Sequence, residues 1–359
     1  MRKFFGLLAT AALVAAPTTR VSADEGGPNF TFGASTSYTF DANDPDGQFA
    51  GENRKVYSNG ESDESFNIDL VQIGASGTRG PVSYGAKIDF GDWTKWVGDD
   101  IDGDIALQEM FLTIETPWAR VTAGRMPTPV GYEVLEPWAN PNISRSRAWF
   151  YHSISHDGLA LSGELGGVSL MAAIVNGYRV NDPIANNADD EYGVIASAGV
   201  PIGDADLRFS AIYSEETDTQ RKFEFNGVLS GNYANTRYGL EGTWFDNDID
   251  GPNNRQSAWD VTLYGGATWG AWSTDLRFGY TDEEGTNSTA VAGTSDNGIW
   301  SFTATGGYQI VEGVVVRAEY RVDGSEGDIF DDDDGLFRPR DMINTVQLQL
   351  LWTPATGQD

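Results

Sequence analysis

The sequence predicts an all-β fold, namely a transmembrane antiparallel up-and-down β-barrel of about 16 strands. Three observations lead to it. Apolar and polar residues alternate in runs of about ten residues, the length that a tilted strand needs to cross a bilayer. The connections between runs alternate between short and long, and aromatic residues gather at the ends of the runs. Together they predict short periplasmic turns and long acidic extracellular loops.

The N-terminus has the composition of a secretory signal peptide. Arg2 and Lys3 precede an apolar stretch over 4–16, and the small residues of 21–23 suit signal peptidase. The apolar stretch is too short to span a membrane, although an amphipathic helix is an alternative interpretation. We therefore expect a signal peptide at 1–23 and one barrel domain at 24–359. Since the chain has no cysteine, the fold cannot depend on disulfides.

The strands follow from alternation, because successive side chains of a strand point to opposite faces of a sheet. In the clearest run, 82–90, the odd-numbered residues are polar and the even-numbered residues are apolar. The same pattern predicts 16 strands. They lie near 30–40, 66–76, 81–90, 105–115, 118–125, 157–164, 167–176, 191–200, 205–215, 220–230, 233–245, 257–269, 271–282, 298–310, 313–323 and 343–353. If 220–230 were a loop, the strand count would become odd.

Charge divides the connections into two classes. The net charge is −30, and 32 of the 53 Asp and Glu residues lie in the eight connections of the predicted outer rim. The short turns carry almost none, so the extracellular mouth is expected to be strongly negative. Such a surface repels nucleic acid, which we exclude as a partner.

Aromatic residues test the orientation independently. Trp and Tyr side chains are half apolar and half polar, so they favour the two lipid headgroup levels. The predicted outer ends hold Tyr38, Phe40, Phe90, Tyr213, Trp244, Trp259, Tyr280 and Trp300, and the inner ends hold Phe30, Trp118, Trp269, Trp272 and Trp352. An alternative is that these are core aromatics of a soluble β-sandwich. In lipid the sheet must close, and a barrel this wide leaves a lumen for water or a folded-in segment.

The predicted lumen wall is charged and nearly balanced. Its candidate residues are Lys87, Arg120, Arg208, Arg237, Arg277, Arg317, Arg321, Glu109, Glu241 and Glu319. Such a wall suits a water-filled pore. The alternative is a lattice of cross-strand ion pairs that only stiffens the barrel.

One long connection, 126–156, differs from the others; we call it the inner segment. It is rich in aromatic residues and poor in acids, so it is too apolar to extend into water. We expect it to fold into the barrel and narrow the channel. Glu133 and Glu136 would then face Arg145 and Arg147 across an aperture and create a transverse field. Alternatively, the segment caps the mouth or packs against a neighbouring subunit.

The inner segment also carries a family resemblance. The stretches 124–133 (GRMPTPVGYE), 140–146 (NPNISRS) and 156–158 (HDG) resemble the OmpL-like putative β-barrel porins of Gram-negative bacteria. That resemblance implies an outer-membrane channel for small solutes. The matching motif covers only a short part of the chain, and it supplies no ligand residues.

Catalytic and metal sites find little support in the sequence. A triad could be imagined from Ser144, His152 and Asp157, but no nucleophile elbow accompanies them, so we expect no enzyme. His152 and His156 alone make a poor metal site.

A calcium site is the one cofactor that the sequence suggests. Asp246, Asp248 and Asp250 begin like a calcium loop, although Ser257 stands where an EF-hand has Glu. Loop-bound calcium is the alternative to simple solvated charge, and no other cofactor is expected.

The predicted function is therefore an outer-membrane porin for passive diffusion of small hydrophilic solutes and ions. The acidic mouth favours mild cation selectivity. The expected partners are outer-membrane lipid, lipopolysaccharide and the solutes, and a homotrimer is one assembly that the sequence leaves open. The alternatives are a surface structural or adhesion barrel with a plugged lumen, and a substrate-selective sugar or anion channel.

Overall fold

The computed structural model describes residues 28–41, 65–97, 104–180, 192–217, 219–249, 255–285, 296–326 and 342–353. The predicted signal peptide and most of the acidic outer loops lie outside these ranges, so those predictions stay predictions.

The described residues form one closed barrel of 16 antiparallel strands, numbered β1–β16 in chain order. Each strand pairs with its sequence neighbours, and β1 pairs with β16 to close the sheet. The strands are Asn29–Asp41, Ser65–Arg79, Val82–Phe90, Ile105–Glu115, Arg120–Pro127, Ser155–Leu165, Val168–Val175, Gly193–Ile202, Ala205–Thr217, Gln220–Tyr233, Thr236–Ile249, Gln256–Trp269, Trp272–Gly285, Asp296–Val311, Val314–Ser325 and Met342–Trp352. All 16 predicted strands are confirmed, including 220–230, which lies within β10.

The alternation in the sequence separates the two faces of the wall. The outward face carries large apolar side chains, such as Leu240 and Leu263, which are 41% and 50% exposed. The inward face carries buried polar side chains, such as Gln72, Thr303 and Gln347. An exposed apolar band around a polar interior is the arrangement expected for a sheet surrounded by lipid.

The line of closure is fixed by a buried carboxylate. Asp69 on β2 accepts hydrogen bonds from Ser35 and Ser37 of β1, each at 2.5 Å. It also accepts one from Gln349 Nε2 of β16 at 3.0 Å. One fully buried side chain therefore joins the first two strands to the last.

Helices are few and short in the described part of the chain. A 3₁₀ turn at Asp92–Trp96 follows β3, a second at Pro137–Ala139 lies in the inner segment, and helix α1 spans Arg147–Tyr151. No helix in these ranges is long and apolar enough to cross a membrane.

One part of the lumen wall is apolar, in contrast to the charged and polar wall that alternation predicts. Ala160, Ala173, Ile195 and Ile212 are all buried, and Met126 at the start of the inner segment packs against them. The inner segment therefore leaves the wall across an apolar patch and not across a hydrated surface.

Asp69 gives a test of barrel closure. Asp69→Ala leaves the hydroxyls of Ser35 and Ser37 without their buried acceptor, so we expect a loss of about 2–3 kcal/mol in the free energy of unfolding. Urea unfolding in lipid vesicles, followed by tryptophan fluorescence, measures it. Asp206→Ala, at an exposed position, is the control. Equal stability of the two variants would contradict the role of Asp69.

Candidate functional site: the inner segment and its docking on the lumen wall

The inner segment lies inside the barrel, and its backbone is held by wall side chains on two sides. The amide of Gly131 donates to Asn226 Oδ1 of β10 at 3.1 Å, and the amide of Tyr132 donates to Glu241 Oε1 of β11 at 3.0 Å. Farther round the wall, the amides of Ile143 and Ser144 donate to Glu319 of β15 at 2.6 and 2.9 Å. The segment therefore bridges strands that are not neighbours.

Glu133 makes a buried ion pair with the wall. Its Oε1 accepts from Arg277 Nη1 of β13 at 2.6 Å, and its Oε2 accepts from the amide of Ser146 at 2.6 Å. Arg277 also donates to the carbonyl oxygen of Ser144 at 2.6 Å. One wall arginine thus ties together two distant parts of the segment.

Glu136 is held on the opposite side of the lumen, by strands β2 to β4. Its Oε1 contacts Lys87 Nζ at 2.8 Å and accepts from Gln108 Nε2 at 3.1 Å and Gln72 Nε2 at 3.3 Å. Burial alone would raise the pKa of Glu136, but the Lys87 ammonium and these hydrogen bonds lower it below its ordinary value. The carboxylate is therefore ionised at neutral pH.

Arg145 is buried inside the segment itself. It donates to the carbonyl oxygens of Val134 at 3.1 Å, Leu135 at 2.9 Å and Ile143 at 3.2 Å, and its guanidinium lies 4.5 Å from the ring centre of Trp93. Burial lowers the pKa of Arg145 to about 10. The side chain therefore fixes the fold of the segment.

Arg147, at the start of α1, pairs with Glu283 of β13. The phenol of Tyr151 donates to the same carboxylate oxygen. Arg147 is 4% exposed and the side chain of Glu283 is 6% exposed, so this contact is cut off from solvent. It anchors the second half of the segment.

The predicted arrangement, in which two glutamates face two arginines across an aperture, is therefore wrong. All four of these charged residues do lie in the lumen. Glu133, Glu136, Arg145 and Arg147 are each at most 4% exposed. They bind wall groups, backbone carbonyls or neighbouring amides and do not face one another across an opening. The physical reason is desolvation, because a buried charge needs close partners, and the wall and backbone supply them.

His152 connects the end of α1 to two wall carboxylates. Its Nδ1 hydrogen-bonds Glu224, and its Nε2 lies 3.0 Å from Glu241 Oε1. Burial would lower the pKa of His152, but the two carboxylates outweigh it and raise the pKa to about 10. The imidazole is therefore a cation at neutral pH, and it holds the end of the segment against the wall.

Two wall glycines provide space for aromatic side chains of the segment. A Cβ on Gly33 of β1 would lie 2.3 Å from Trp138 Cη2, and a Cβ on Gly239 of β11 would lie 2.5 Å from Tyr132 Cε2. Tyr132 also stacks on Tyr264, with ring centres 4.0 Å apart. Larger wall residues could not coexist with the docked segment.

Most of the predicted wall charges serve this docking. Arg208 donates to the carbonyl of Gly131, Arg317 to those of Asn140 and Pro137, and Arg321 to that of Arg145. Lys87, Arg277, Glu241 and Glu319 hold the segment through the contacts above. The other wall residues that were predicted are Arg237, paired with Asp275; Glu109, paired with Lys87 at 2.9 Å; and Arg120, opposite Glu115.

A cavity of about 1350 Å³ lies between the inner segment and the periplasmic rim. Its lining is mixed: Lys87, Arg120, Arg208 and Arg237 contribute positive charge, and acids such as Glu109, Asp206 and Asp275 contribute negative charge. The lumen therefore keeps a polar chamber below the docked segment.

Sequence reasoning missed several docking residues. Glu224, Asn226 and Gln108 lie on inward positions of predicted strands, so alternation could have selected them as wall groups. No local signal distinguishes Gly33 or Gly239 from the other glycines of the chain.

The candidate triad does not assemble in the structure. His152 is bound to Glu224 and Glu241, Ser144 to Arg277, and Asp157 to Arg125.

The calcium prediction remains a prediction, because Asp250 lies outside the described residues. Asp246 accepts two hydrogen bonds from Arg255, each at 2.8 Å. Within the described ranges, no group of three or more His, Asp or Glu residues is placed to hold a metal ion.

Comparison with known proteins identifies the chain's relatives. The model of the family "Putative beta-barrel porin-2, OmpL-like" matches residues 30–346. No curated protein matches. Among solved structures, OmpT of Vibrio cholerae in its trimer form is 11% identical with a TM-score of 0.62, covering 92% of this chain and 100% of that one.

Two further solved structures have similar folds. The anion-selective porin from Comamonas acidovorans is 10% identical, with a TM-score of 0.61, and the match covers 92% of this chain and 100% of that one. The outer membrane channel DcaP of Acinetobacter baumannii is 11% identical, with a TM-score of 0.60, covering 94% of this chain and 99% of that one. At these identities the similarity concerns the fold alone.

The glycine contacts predict how to displace the segment. Gly239→Val or Gly33→Val should push Tyr132 or Trp138 off the wall, because the added side chain occupies their space, and thereby raise single-channel conductance. Gly242→Val on β11 is the matched control, since a Cβ there meets no atom within 4 Å. Conductance unchanged in variants that still form heat-modifiable barrels would contradict the docking.

His152 predicts a pH dependence of stability. Its pKa in the folded protein, about 10, exceeds the ordinary value of about 6.5. The ion pairs therefore stabilise the protein fully below about pH 6.5, and this contribution is lost as pH rises through about 10. Urea unfolding should show His152→Gln less stable than the native protein at low pH, with the difference disappearing above about pH 10.

His156→Gln provides the control for this titration, because His156 Nε2 hydrogen-bonds Thr128 Oγ1, at 3.2 Å, and not a carboxylate. A stability difference for His152→Gln that stays constant or grows with pH would show that the imidazole is not held as a cation.

Proposed function

Because the chain belongs to the OmpL-like β-barrel porin family of the bacterial outer membrane, we propose that it lets small hydrophilic solutes and ions diffuse passively through its lumen. The observation that best supports this proposal is that the inner segment is docked inside a 16-stranded barrel, above a polar chamber of about 1350 Å³. Sixteen strands enclose more space than wall side chains can fill. The passage would run past the docked segment, which limits its width.

The position of charge supports mild cation selectivity in this proposal. The predicted outer connections hold 32 of the 53 acidic residues, so the approach to the lumen attracts cations. The chamber itself is lined by both signs of charge. Cation selectivity would therefore arise mainly at the mouth. The alternative to this proposal is a substrate-selective channel for sugars or anions.

A plugged barrel with a surface role is the second candidate, and one observation favours it. Glu133, Glu136, Arg145 and Arg147 of the inner segment are buried and bound, so the segment is held in one position. If it fills the whole cross-section, the outer loops would carry the function, as in an adhesion protein.

Several further properties belong to the proposal. The family and the fold are those of channels, so the chain is proposed to act without catalysis. Its surroundings would be outer-membrane lipid and lipopolysaccharide. A homotrimer is proposed by analogy with the trimer form of the Vibrio cholerae neighbour, which shares only the fold.

Planar-bilayer recording distinguishes an open channel from a plugged barrel. The purified protein should give discrete conductance steps, and deletion of 132–150 should enlarge them severalfold because the docked segment is removed. In a salt gradient, the reversal potential should indicate cation preference.

Three results would count against the proposal. Absence of steps in the native protein with steps in the deletion variant would indicate the plugged barrel. Equal conductance of the two would show that the segment does not limit the passage, and clear anion preference would contradict the role of the acidic mouth. Heat modifiability in gels controls for folding of the deletion variant.

A further inference from the structure

One cation of the chamber below the inner segment lacks an acidic partner. Arg208 of β9 lines the chamber, and its Nη2 donates to the carbonyl oxygen of Gly131 at 2.7 Å. Its Nε is buried without a hydrogen-bond partner, and among the residues that the structure describes Arg208 forms no ion pair. A guanidinium carries donors on all three nitrogens, so several donors of Arg208 remain unused.

Other cations of the chamber are occupied. Lys87 pairs with two glutamates, at 2.9 and 2.8 Å. Arg237 binds both carboxylate oxygens of Asp275, and Arg317 donates to two carbonyl oxygens of the inner segment. A charge withdrawn from water without a counter-ion is costly. Arg208 is therefore suited to an anionic group that a ligand supplies.

A carboxylate lies beside Arg208 on the same strand. Asp206 is two residues earlier on β9, so its side chain is on the same face, and it also lines the chamber. The Cα atoms of the two residues are about 7 Å apart along the strand. Within the described ranges Asp206 makes no ion pair, with Arg208 or with any other residue. A carboxylate and an ammonium on one carbon atom fit between these two side chains.

Apolar side chains adjoin this pair of charges. Val228 of β10 is opposite Arg208 in the strand register, and Val130 precedes the glycine whose carbonyl Arg208 binds. Both valines line the chamber, as does Met171 of β7. Such a surface favours a hydrocarbon group, while the two charged side chains fix its orientation.

We propose that the chamber binds α-amino acids with an apolar side chain. Arg208 binds the carboxylate, Asp206 binds the ammonium, and the hydrocarbon side chain lies against Val228 and Met171. Such a solute has no net charge, so the acidic outer connections do not repel it. Its passage rests on the channel function proposed above. Its binding does not, because the chamber extends to turns of the periplasmic rim, such as that of Gly270.

Three matched compounds test the recognition of both charges. L-Leucine has both groups, 4-methylpentanoate lacks the ammonium, and 3-methylbutylamine lacks the carboxylate. Saturation-transfer NMR on the purified full chain in deuterated detergent, with empty micelles subtracted, gives their affinities. L-Leucine should bind about tenfold more tightly than either analogue, because each analogue loses one charged hydrogen-bond partner.

Substitutions assign each charge to its residue. Arg208→Gln should weaken binding of L-leucine and of 4-methylpentanoate about tenfold, and Arg208→Lys should restore part of it. Asp206→Asn should weaken only L-leucine and leave 4-methylpentanoate unchanged. A merely structural role of Asp206 would not separate the two compounds, and this position is exposed, so the variant is expected to fold.

Arg120→Gln is the matched control. Arg120 also lines the chamber and lies opposite Glu115, but the inward residues next to it, Thr122 and Ser162, are polar. This variant should bind L-leucine like the native protein.

Three results would overturn the proposal. One is the absence of saturable L-leucine binding. Another is equal affinity for L-leucine and 4-methylpentanoate, which would indicate a site for anions. The third is an equal loss in Arg120→Gln and Arg208→Gln, which would indicate only a general positive potential. None of these measurements needs an open channel, so they fail or succeed independently of the conductance experiments.

Discussion

Pairing of the backbone in lipid is the constraint on which the rest of this structure depends. A strand in the hydrocarbon region has no water to satisfy its amides and carbonyls, so the last strand must pair with the first. Here β1 and β16 close the sheet, and buried Asp69 binds both sides of the line of closure. Closure with 16 strands creates an interior too wide for wall side chains, and that space is what the inner segment occupies.

The inner segment shows how a polar peptide can be fixed inside such a space. Its charged residues and backbone amides are matched by wall groups from several strands, among them Lys87, Arg277 and Glu319. Buried ion pairs contribute little net stability after desolvation, but breaking one is costly. These contacts therefore specify one position of the segment. The charges that alternation assigned to an open pore wall are mostly engaged in holding it.

The inward fold also shapes the outside of the barrel. The chain leaves the wall after β5 and again after β7, and these are the two shortest strands described. The stretches of chain that fold into the lumen are therefore absent from the wall on the side of β5 and β7. The Arg125–Asp157 pair joins β5 and β6, the two strands that flank the inner segment.

The sequence by itself determined the strands, their number and which residues face inward, because a period of two is a local property of each strand. Alternation predicted a strand at 105–115, which are the bounds of β4 in the structure. The aromatic, acid-poor composition of 126–156 indicated that this segment folds inward. Only the tertiary structure decided what each inward residue meets. Glu133 binds Arg277, 144 positions away, and Gly33 and Gly239 make room for Trp138 and Tyr132. Alternation assigns a side chain to a face, but not the distant residue that it meets across a closed barrel, since that depends on how 16 strands are arranged around it.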